Sequence, residues 1–431
     1  MDAIKAIYDF ITGFGPSVMM PIIITILGLI LGAQFGRAIR AGITVGIGFI
    51  GINLVIGLLM GALGPVAQGM VQNWHVQLTY IDVGWPAQAA IAFGTKIGSV
   101  IFVVGILVNL IMLVFKLTKT VDVDLWNYWH WAMTGSLIYI ATGSFVLGVI
   151  GSVIHAVYTL VIADLTAPTI QKYFKWPDLS ISQGWATTSM IIIWPVLKLC
   201  DLLGIDKGAE ATDESDLAKL RERIGILGEP VLIGLILGLI VGAMAFVPAG
   251  LSIKDLLTKI LTTAMSMAAT MLLMPRVVAI LMEGLVPISD QARKFLQSRF
   301  AGREFYIGMD SALMIGDPLT LTVGFLLVPI TLILAVILPG NHLLPFGDLA
   351  ATPFFVCLAT PMSRGRFWRT LISGTVVMII IMYMGSIWSP LLTQAAKSVG
   401  YAFPEGTANI GGFANPLGWI LVMISKLLFG K

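Results

Sequence analysis

The sequence predicts an all-α polytopic membrane protein built from two inverted repeats. Three observations lead to this prediction. The chain is strongly apolar, its long apolar runs carry no formal charge, and each half contains a short interrupted stretch with an acidic residue. The first stretch runs from Tyr80 to Pro86 and contains Asp82; the second runs from Gly308 to Pro318 and contains Asp310. Interrupted apolar segments at matching places in two halves are a sequence sign of a transport site.

The composition separates this chain from soluble proteins. Of its 431 residues 57% are hydrophobic and 11% are charged, and the mean hydropathy is +0.94. Ordinary soluble domains contain about 25% charged residues. The net charge of +3 gives no indication of nucleic-acid binding, and the two cysteines, Cys200 and Cys357, have no metal-ligand spacing. We expect no metal site and no cofactor.

Apolar runs of bilayer length predict about eleven transmembrane helices. No cleavable signal peptide is visible, so the first span is expected to direct insertion. The predicted spans are 16–33, 41–63, 97–115, 128–143, 145–163, 230–247, 260–281, 319–338, 348–362, 370–390 and 412–429.

The distribution of Lys and Arg predicts the orientation. Cytoplasmic loops carry an excess of basic residues. Placing the N-terminus outside and the C-terminus in the cytoplasm puts most of the 26 basic residues, including the cluster Arg364, Arg366 and Arg369, on the cytoplasmic side.

This orientation brings the two interrupted stretches in from opposite sides, as inverted repeats require. The predicted divisions are a first repeat at 1–163 with a hairpin near 81–95, a linker at 164–228 with a charged cytoplasmic segment, a second repeat at 229–392 with a hairpin near 305–318, and an outer loop with a last helix at 393–431. The charged segment is either a solvated linker or a docking surface for a soluble partner.

Acidic residues inside these stretches are candidate ligands for a solute. Asp82 beside Trp85 suits a polyol or sugar, because a carboxylate accepts hydrogen bonds from hydroxyls and a ring packs on C–H faces. The alternative is an interfacial Trp with an exposed Asp82. Asp310 is a candidate because intramembrane carboxylates are usually functional, whereas Asp317 before Pro318 suits a helix N-cap.

Further polar residues surround two other motifs. In 121–131 an aromatic belt explains the rings, but it leaves Asp124, Asn127 and His130 unexplained together, and His130 could contact a substrate. In 339–348, Asn341 and Asp348 could complete a polar pocket or simply cap helix ends.

Several of these motifs resemble the galactitol-type membrane component, enzyme IIC, of the bacterial phosphoenolpyruvate-dependent sugar phosphotransferase system. The motifs are Asp-Val-Gly-Trp-Pro at 82–86, Val-Asp-Leu-Trp-Asn at 123–127 with Trp-His at 129–130, Leu-Leu-Met-Pro-Arg at 272–276, and Pro-Gly-Asn with Pro-Phe-Gly-Asp-Leu-Ala-Thr within 339–352. The resemblance implies a relationship to the ascorbate-type permeases, which are homodimers in which a core with re-entrant hairpins moves against a scaffold by an elevator mechanism.

The resemblance also implies group translocation of galactitol or a related polyol. A soluble IIB component, supplied by IIA, would phosphorylate the polyol at the cytoplasmic mouth, so this chain would be a transport subunit and not itself an enzyme. Asp82, Trp85, Asp124, Asn127, His130, Asn341 and Asp348 match the family motifs, and Asp310 lies in the matching second hairpin.

Two departures affect the expected substrate. The family pattern has Pro-His-Gly where this chain has Ser182-Gln183-Gly184, and a neutral or His residue in place of Asp317. The competing hypotheses are an ion-coupled elevator-type secondary transporter of a small polar solute, and a membrane protein without a transport role. The sequence contains no P-loop, no Ser/His/Asp order and no His/Cys cluster that would indicate a catalyst.

Overall fold

The computed structural model describes residues 16–74, 79–122, 124–206, 229–299, 304–315, 317–401 and 409–430. The charged segment of the predicted linker, from Asp206 to Arg223, lies almost wholly outside these residues. The described residues are mainly helical, as predicted, with 78% of them in helices. They also include six short β-strands that the all-α prediction missed.

The described residues of the first half form seven helices, three strands and one 3₁₀ turn. In order they are α1 (Pro16–Ile30), α2 (Phe35–Trp74), β1 (Tyr80–Asp82), α3 (Trp85–Gly94), α4 (Ile101–Val114), β2 (Thr120–Asp122), a 3₁₀ turn (Leu125–Asn127), α5 (Tyr128–Thr142), α6 (Phe145–Phe174), β3 (Leu179–Ile181) and α7 (Gly184–Leu202).

The second half has a similar order of elements, with an extra 3₁₀ turn after its first helix and two short helices in place of α5. They are α8 (Pro230–Phe246) with a 3₁₀ turn (Val247–Ala249), α9 (Ile253–Arg299), β4 (Tyr306–Met309), α10 (Ala312–Ile315), α11 (Pro318–Ile337), β5 (Leu343–Leu344), a 3₁₀ turn (Leu349–Ala351), α12 (Thr352–Val356), α13 (Ala359–Met362), α14 (Phe367–Ser398), β6 (Asn409–Gly411) and α15 (Pro416–Phe429). Strand β1 thus corresponds to β4, β2 to β5, and β3 to β6. In this order each half ends with a strand and a helix that lie beyond the predicted repeat boundaries at 163 and 392.

The membrane-spanning helices differ in part from the predicted eleven. Among the described residues, seven helices are long and apolar enough to cross a membrane, and four more apolar helices are shorter. One of the seven is α7, which falls inside the predicted linker 164–228, whereas α5, predicted as the span 128–143, belongs to neither group. Helix α7 was missed because Thr187, Thr188 and Ser189 lower its hydropathy.

Two small parallel sheets join the halves. Strand β1 lies between β5 and β6, and β4 lies between β2 and β3. The central strand of each sheet therefore comes from one half and both its neighbours come from the other. These pairs satisfy backbone N–H and C=O groups where the helices are interrupted, which is essential wherever such backbone is buried.

The remaining helices form two packed groups. Helices α1, α2, α8 and α9 pack on one another, and the strands and the other helices form an aromatic-rich second group. The end of α7 is held to the start of α14, because Arg369 donates to the Asp201 carboxylate at 2.6 Å and to the Ile205 carbonyl at 2.8 Å.

Candidate functional site

The two interrupted stretches begin with the same local turn. At the end of β1, Asp82 Oδ1 accepts from Gly84 N at 2.9 Å. After β4, Asp310 Oδ1 accepts from Ala312 N at 2.6 Å. An Asp side chain that bonds the backbone two residues ahead stops the strand and starts the next helix. Asp82 and Asp310 therefore occupy equivalent positions in the two halves.

A second pair of equivalent carboxylates faces the first. Asp124 and Asp348 each stand immediately before a 3₁₀ turn that follows a strand, at Leu125–Asn127 and Leu349–Ala351. Asp82 is close to Asp348 in one set, and Asp124 is close to Asp310 in the other. The surroundings of the two sets differ sharply.

The Asp82–Asp348 set is fully buried and is held by hydrogen bonds of the protein itself. Both residues are 0% exposed. Asp82 Oδ2 accepts from Asp348 N at 2.7 Å, and Asp348 accepts from Trp85 N at 2.6 Å, from Gln88 Nε2 at 3.0 Å and from Phe413 N at 3.1 Å. These carboxylates connect the start of α3 to segments of the other half.

Two glycines allow the backbones at this connection to touch. Gly84 has φ 81°, which other residues rarely adopt, and a Cβ there would lie 3.0 Å from the Gly347 carbonyl oxygen. A Cβ on Gly347 would overlap the Gly84 backbone nitrogen. Both glycines are therefore needed for the close contact between the halves.

The Asp124–Asp310 set is more open. Both residues are partly exposed. Asn127 Nδ2 donates to Asp310 Oδ2 at 2.8 Å and to Asp124 Oδ2 at 3.1 Å, so a single amide group bridges the two carboxylates. The carboxylates keep acceptor capacity for further donors, because each oxygen can accept more than one hydrogen bond.

A cavity of about 130 Å³ adjoins this open set. Its polar lining residues are Asn127, Asp310 and Gln183. Its apolar lining is mostly aromatic and consists of Trp85, Trp126, Trp129, Trp185, Phe354, Met282 and Ala312. Trp85 and Trp126 meet edge to face with their ring centroids 5.9 Å apart. The cavity can therefore offer both hydrogen-bonding groups and flat apolar faces to a ligand.

His130 and Asn341 lie outside this cavity lining. His130 is fully buried, and its Nε2 is 3.1 Å from Gln183 Nε2. Asn341 is 5% exposed and bonds the backbone around β5, donating to the carbonyls of Ala335 and Leu343 at 2.9 Å. Of the predicted residues, the structure thus brings Trp85, Asn127 and Asp310 to the cavity, with Asp124 beside them.

Asp317 caps a helix, and several residues that line the cavity were not predicted from the sequence. The predicted N-cap role of Asp317 is confirmed, because its Oδ1 accepts from Leu319 N at 3.0 Å and from Thr320 N at 2.9 Å. Gln183, Trp185 and Phe354 were not predicted as site residues. Gln183 was noted only as a departure from a motif, and that departure was the signal that could have identified it.

A larger cavity lies apart from these groups. It measures about 290 Å³ and is bounded by residues of α2, α3 and the end of α14, including Asn53, Ala87 and Tyr401. None of the predicted site residues lines it. Among the described residues no cluster of three or more His, Cys, Asp or Glu side chains could hold a metal ion.

Comparison with known proteins places the chain in a transport family. The family model for the "PTS system sugar-specific permease component" matches residues 9–406. The chain is 40% identical over 422 residues to a "putative permease IIC component" of Escherichia coli strain K12, covering 97% of this chain and 94% of that protein. It is 38% identical over 421 residues to the "PTS system galactitol-specific EIIC component" of the same strain, covering 96% and 90%.

These matches run along nearly the whole chain and agree with the resemblance expected from its motifs. They also agree with a multi-pass membrane protein, since the described residues include several helices of membrane-spanning length. The chain belongs to the family of sugar-specific permease components, EIIC, of the PTS system.

Proposed function

We propose that this chain binds galactitol or a closely related polyol and passes it across the inner membrane to a phosphorylated IIB partner. The observation that supports this proposal is the cavity that Asp310 and Asn127 line together with aromatic side chains. A linear polyol presents hydroxyls that donate to carboxylates, and its C–H groups pack on rings. The galactitol-specific relative supports the choice of polyol.

The two carboxylate sets have different proposed roles. Asp310, Asn127 and Asp124 would bind the polyol, with Trp85 forming part of the apolar wall. Asp82 and Asp348 would act as positioning residues, because both are fully buried and are bonded by backbone and amide donors of the protein. Asn341 would stabilise the turn before β5. His130 would not contact the polyol but would hold Gln183, which lines the cavity.

The proposed orientation places the N-terminus outside and the β2–β4–β3 sheet toward the cytoplasm. Lys119 lies at the start of β2 with its Nζ 5.6 Å from the Tyr306 ring centroid at the start of β4, and Lys172 and Lys175 precede β3. Such basic groups are enriched on the cytoplasmic side. The open Asp124–Asp310 set then lies nearer the side at which IIB would act.

Transport would follow an elevator movement of the second, aromatic-rich group of helices against α1, α2, α8 and α9 within a homodimer. IIA would supply the phosphoryl group to IIB, and the transferred group would not be carried on this chain. An ion-coupled secondary transporter is the alternative. It would release free polyol inside, whereas group translocation releases polyol phosphate.

Sealed vesicles that contain the purified protein can separate these mechanisms. With the complete phosphoryl relay inside, we expect external galactitol to appear inside only as its phosphate, and uptake to stop when IIB is omitted. Free galactitol that accumulates under an ion gradient without IIB would refute group translocation.

The site is tested by Asp310→Asn in the same vesicles. We expect galactitol affinity to fall by about tenfold or more, which corresponds to loss of one charge-assisted hydrogen bond. Asp255→Asn is the matched control, since Asp255 is an exposed residue of α9 that bonds Ser252 at 2.6 Å. A folded Asp310→Asn protein with unchanged affinity would refute the site.

A further inference from the structure

The Gln183 side chain has one orientation that its surroundings allow. Gln183 is the N-cap residue of α7, and its Oε1 accepts from Ala186 N at 2.7 Å. A backbone N–H can only donate, so the amide oxygen must face Ala186. The Nε2 group therefore points the other way, where it lies 3.1 Å from His130 Nε2.

This orientation also assigns the tautomer of His130. Gln183 Nε2 can only donate, so His130 Nε2 must be the acceptor and the ring proton must sit on Nδ1. That Nδ1 atom has no hydrogen-bond partner among the described residues. The neutral imidazole is thereby used as an acceptor for Gln183.

His130 is held rigidly in that role. It is 0% exposed and stacks on Trp129, and its ring centroid lies 5.3 Å from that of Trp185. Gly184 leaves just enough room, because a Cβ at that position would lie 2.5 Å from the His130 side chain. The Gln183 amide is therefore fixed at one end by α7 and at the other by a ring that cannot turn.

One hydrogen of the Gln183 amide remains. An amide nitrogen carries two, and His130 takes one. Gln183 lines the same 130 Å³ cavity as Asp310 and Asn127. The remaining hydrogen, if directed into this cavity, would add a fixed donor to the carboxylate acceptor of Asp310.

From this geometry we infer that Gln183 is a specificity-determining residue, which donates its second Nε2 hydrogen to one hydroxyl of the bound polyol. His130 is a positioning residue that holds this donor in place. The inference rests on the proposed polyol function and adds to it the group that distinguishes between epimers.

A fixed donor and a fixed acceptor together select stereochemistry. A polyol whose hydroxyl points away from Gln183 leaves a buried N–H unpaired. Sites built to hydrogen-bond a hydroxyl reject analogues that lack it far more strongly than apolar pockets reject a change in size. Galactitol and D-glucitol differ in the orientation of a single hydroxyl, so they are suitable probes.

Gln183→Glu tests the inference most directly. The glutamate keeps the size of the side chain and the oxygen that caps α7, but it replaces the donor with an acceptor. Binding of galactitol and D-glucitol to purified protein would be measured by isothermal titration calorimetry. In wild type we expect the dissociation constants for galactitol and D-glucitol to differ. In Gln183→Glu we expect this difference to shrink by about tenfold or more.

Two further variants keep the test decisive. Gln171→Glu is the matched control, since Gln171 donates to the Leu179 carbonyl at 3.0 Å outside the cavity, and it should leave the ratio unchanged. His130→Phe retains a ring but removes the acceptor for Gln183, so the ratio should fall by several-fold while the α7 cap remains. This variant provides the readout if Gln183→Glu does not fold.

The possible outcomes separate this inference from the proposed function. If the wild-type protein binds either polyol and folded Gln183→Glu keeps the wild-type ratio, the specificity role is refuted and the function stands. The same holds for an unchanged ratio in His130→Phe. If the wild-type protein binds neither polyol, the proposed function fails and this inference fails with it.

Discussion

Asp348→Asn tests the idea that the Asp82–Asp348 set is structural. Both carboxylate oxygens of Asp348 accept from backbone N–H groups, and an amide has only one oxygen to offer them. The substitution turns one carboxylate oxygen into an NH₂ group, which cannot accept a hydrogen bond. If the remaining oxygen faces Trp85 N, the NH₂ group meets Phe413 N–H; in the flipped orientation it meets Trp85 N–H. Gln88 can turn to accept from the new group, since its Oε1 is without a partner among the described residues.

The expected loss follows from these contacts. In either orientation one buried backbone N–H loses its acceptor, which costs about 1–3 kcal/mol. The bonds that remain lose the charge of the carboxylate, which costs roughly another 1 kcal/mol. We therefore expect Asp348→Asn to lower the free energy of unfolding by about 2–4 kcal/mol, measured by titration with SDS in mixed micelles.

Asp124→Asn is the matched variant at the equivalent position of the other half. Asp124 is partly exposed, and the Asn127 amide that bonds it can adjust to a new partner. We expect the free energy of unfolding to stay within about 1 kcal/mol of wild type and the galactitol dissociation constant to rise by about tenfold or more. A stable Asp348→Asn protein, or an Asp124→Asn protein with the larger loss of stability, would refute the division between structural and binding carboxylates.

Three further predictions follow from the contacts between the halves and at the cavity. Gly347→Ala should lower the free energy of unfolding by about 3 kcal/mol or more in the same assay, because the added Cβ overlaps the Gly84 backbone. Gly61→Ala is the control and should cause no measurable loss, since no atom lies within 4 Å of its added Cβ. Equal stabilities of the two variants would contradict the close contact between Gly84 and Gly347. Asn127→Leu removes the donor shared by two carboxylates, so calorimetry should show galactitol binding weakened by about tenfold or more, and an unchanged constant would count against the site. Helix α15 corresponds to α7 in an inverted half, so the two helices should end on opposite sides of the membrane, with the end of α7 in the cytoplasm and the end of α15 outside. Gly430→Cys should therefore react with an impermeant maleimide added from outside, and the native cysteines should not interfere because they are buried. Protection from outside would instead support the cytoplasmic C-terminus predicted from the basic residues.

The positions of the interrupted stretches could be predicted from local chemistry. Gly84 and Pro86 break the helix around Asp82, and a carboxylate in an apolar stretch is conspicuous, so both turns were found close to β1 and β4. The six strands could not be predicted, because each has only two to four residues and its partners lie in the other half of the chain. Such strands are specified by tertiary pairing and not by a periodic pattern.

The site was predicted only in part for a similar reason. Asp310 and Asn127 carry charge or a strong polar group within an apolar context, and both line the cavity. Gln183 is a neutral amide at a helix start, where capping alone would explain it. Its second role depends on His130, which is more than 50 residues earlier in the chain. The two equivalent carboxylate sets differ in burial and in the backbone N–H groups that bond them. These differences arise from tertiary contacts, which the sequence pattern does not reveal.

The exchange of strands between the halves has a consequence for biosynthesis. Strand β1 leaves the ribosome more than 260 residues before its first partner, β5, and β6 follows still later. At about 5–20 residues per second, β1 waits roughly 13–50 seconds for its first neighbour. The first half therefore enters the membrane with open strand edges and unpaired acidic turns, and assembly of the proposed site is delayed until the second half has been translated. Two separately expressed halves would face the same requirement, and neither could form a finished sheet before meeting the other.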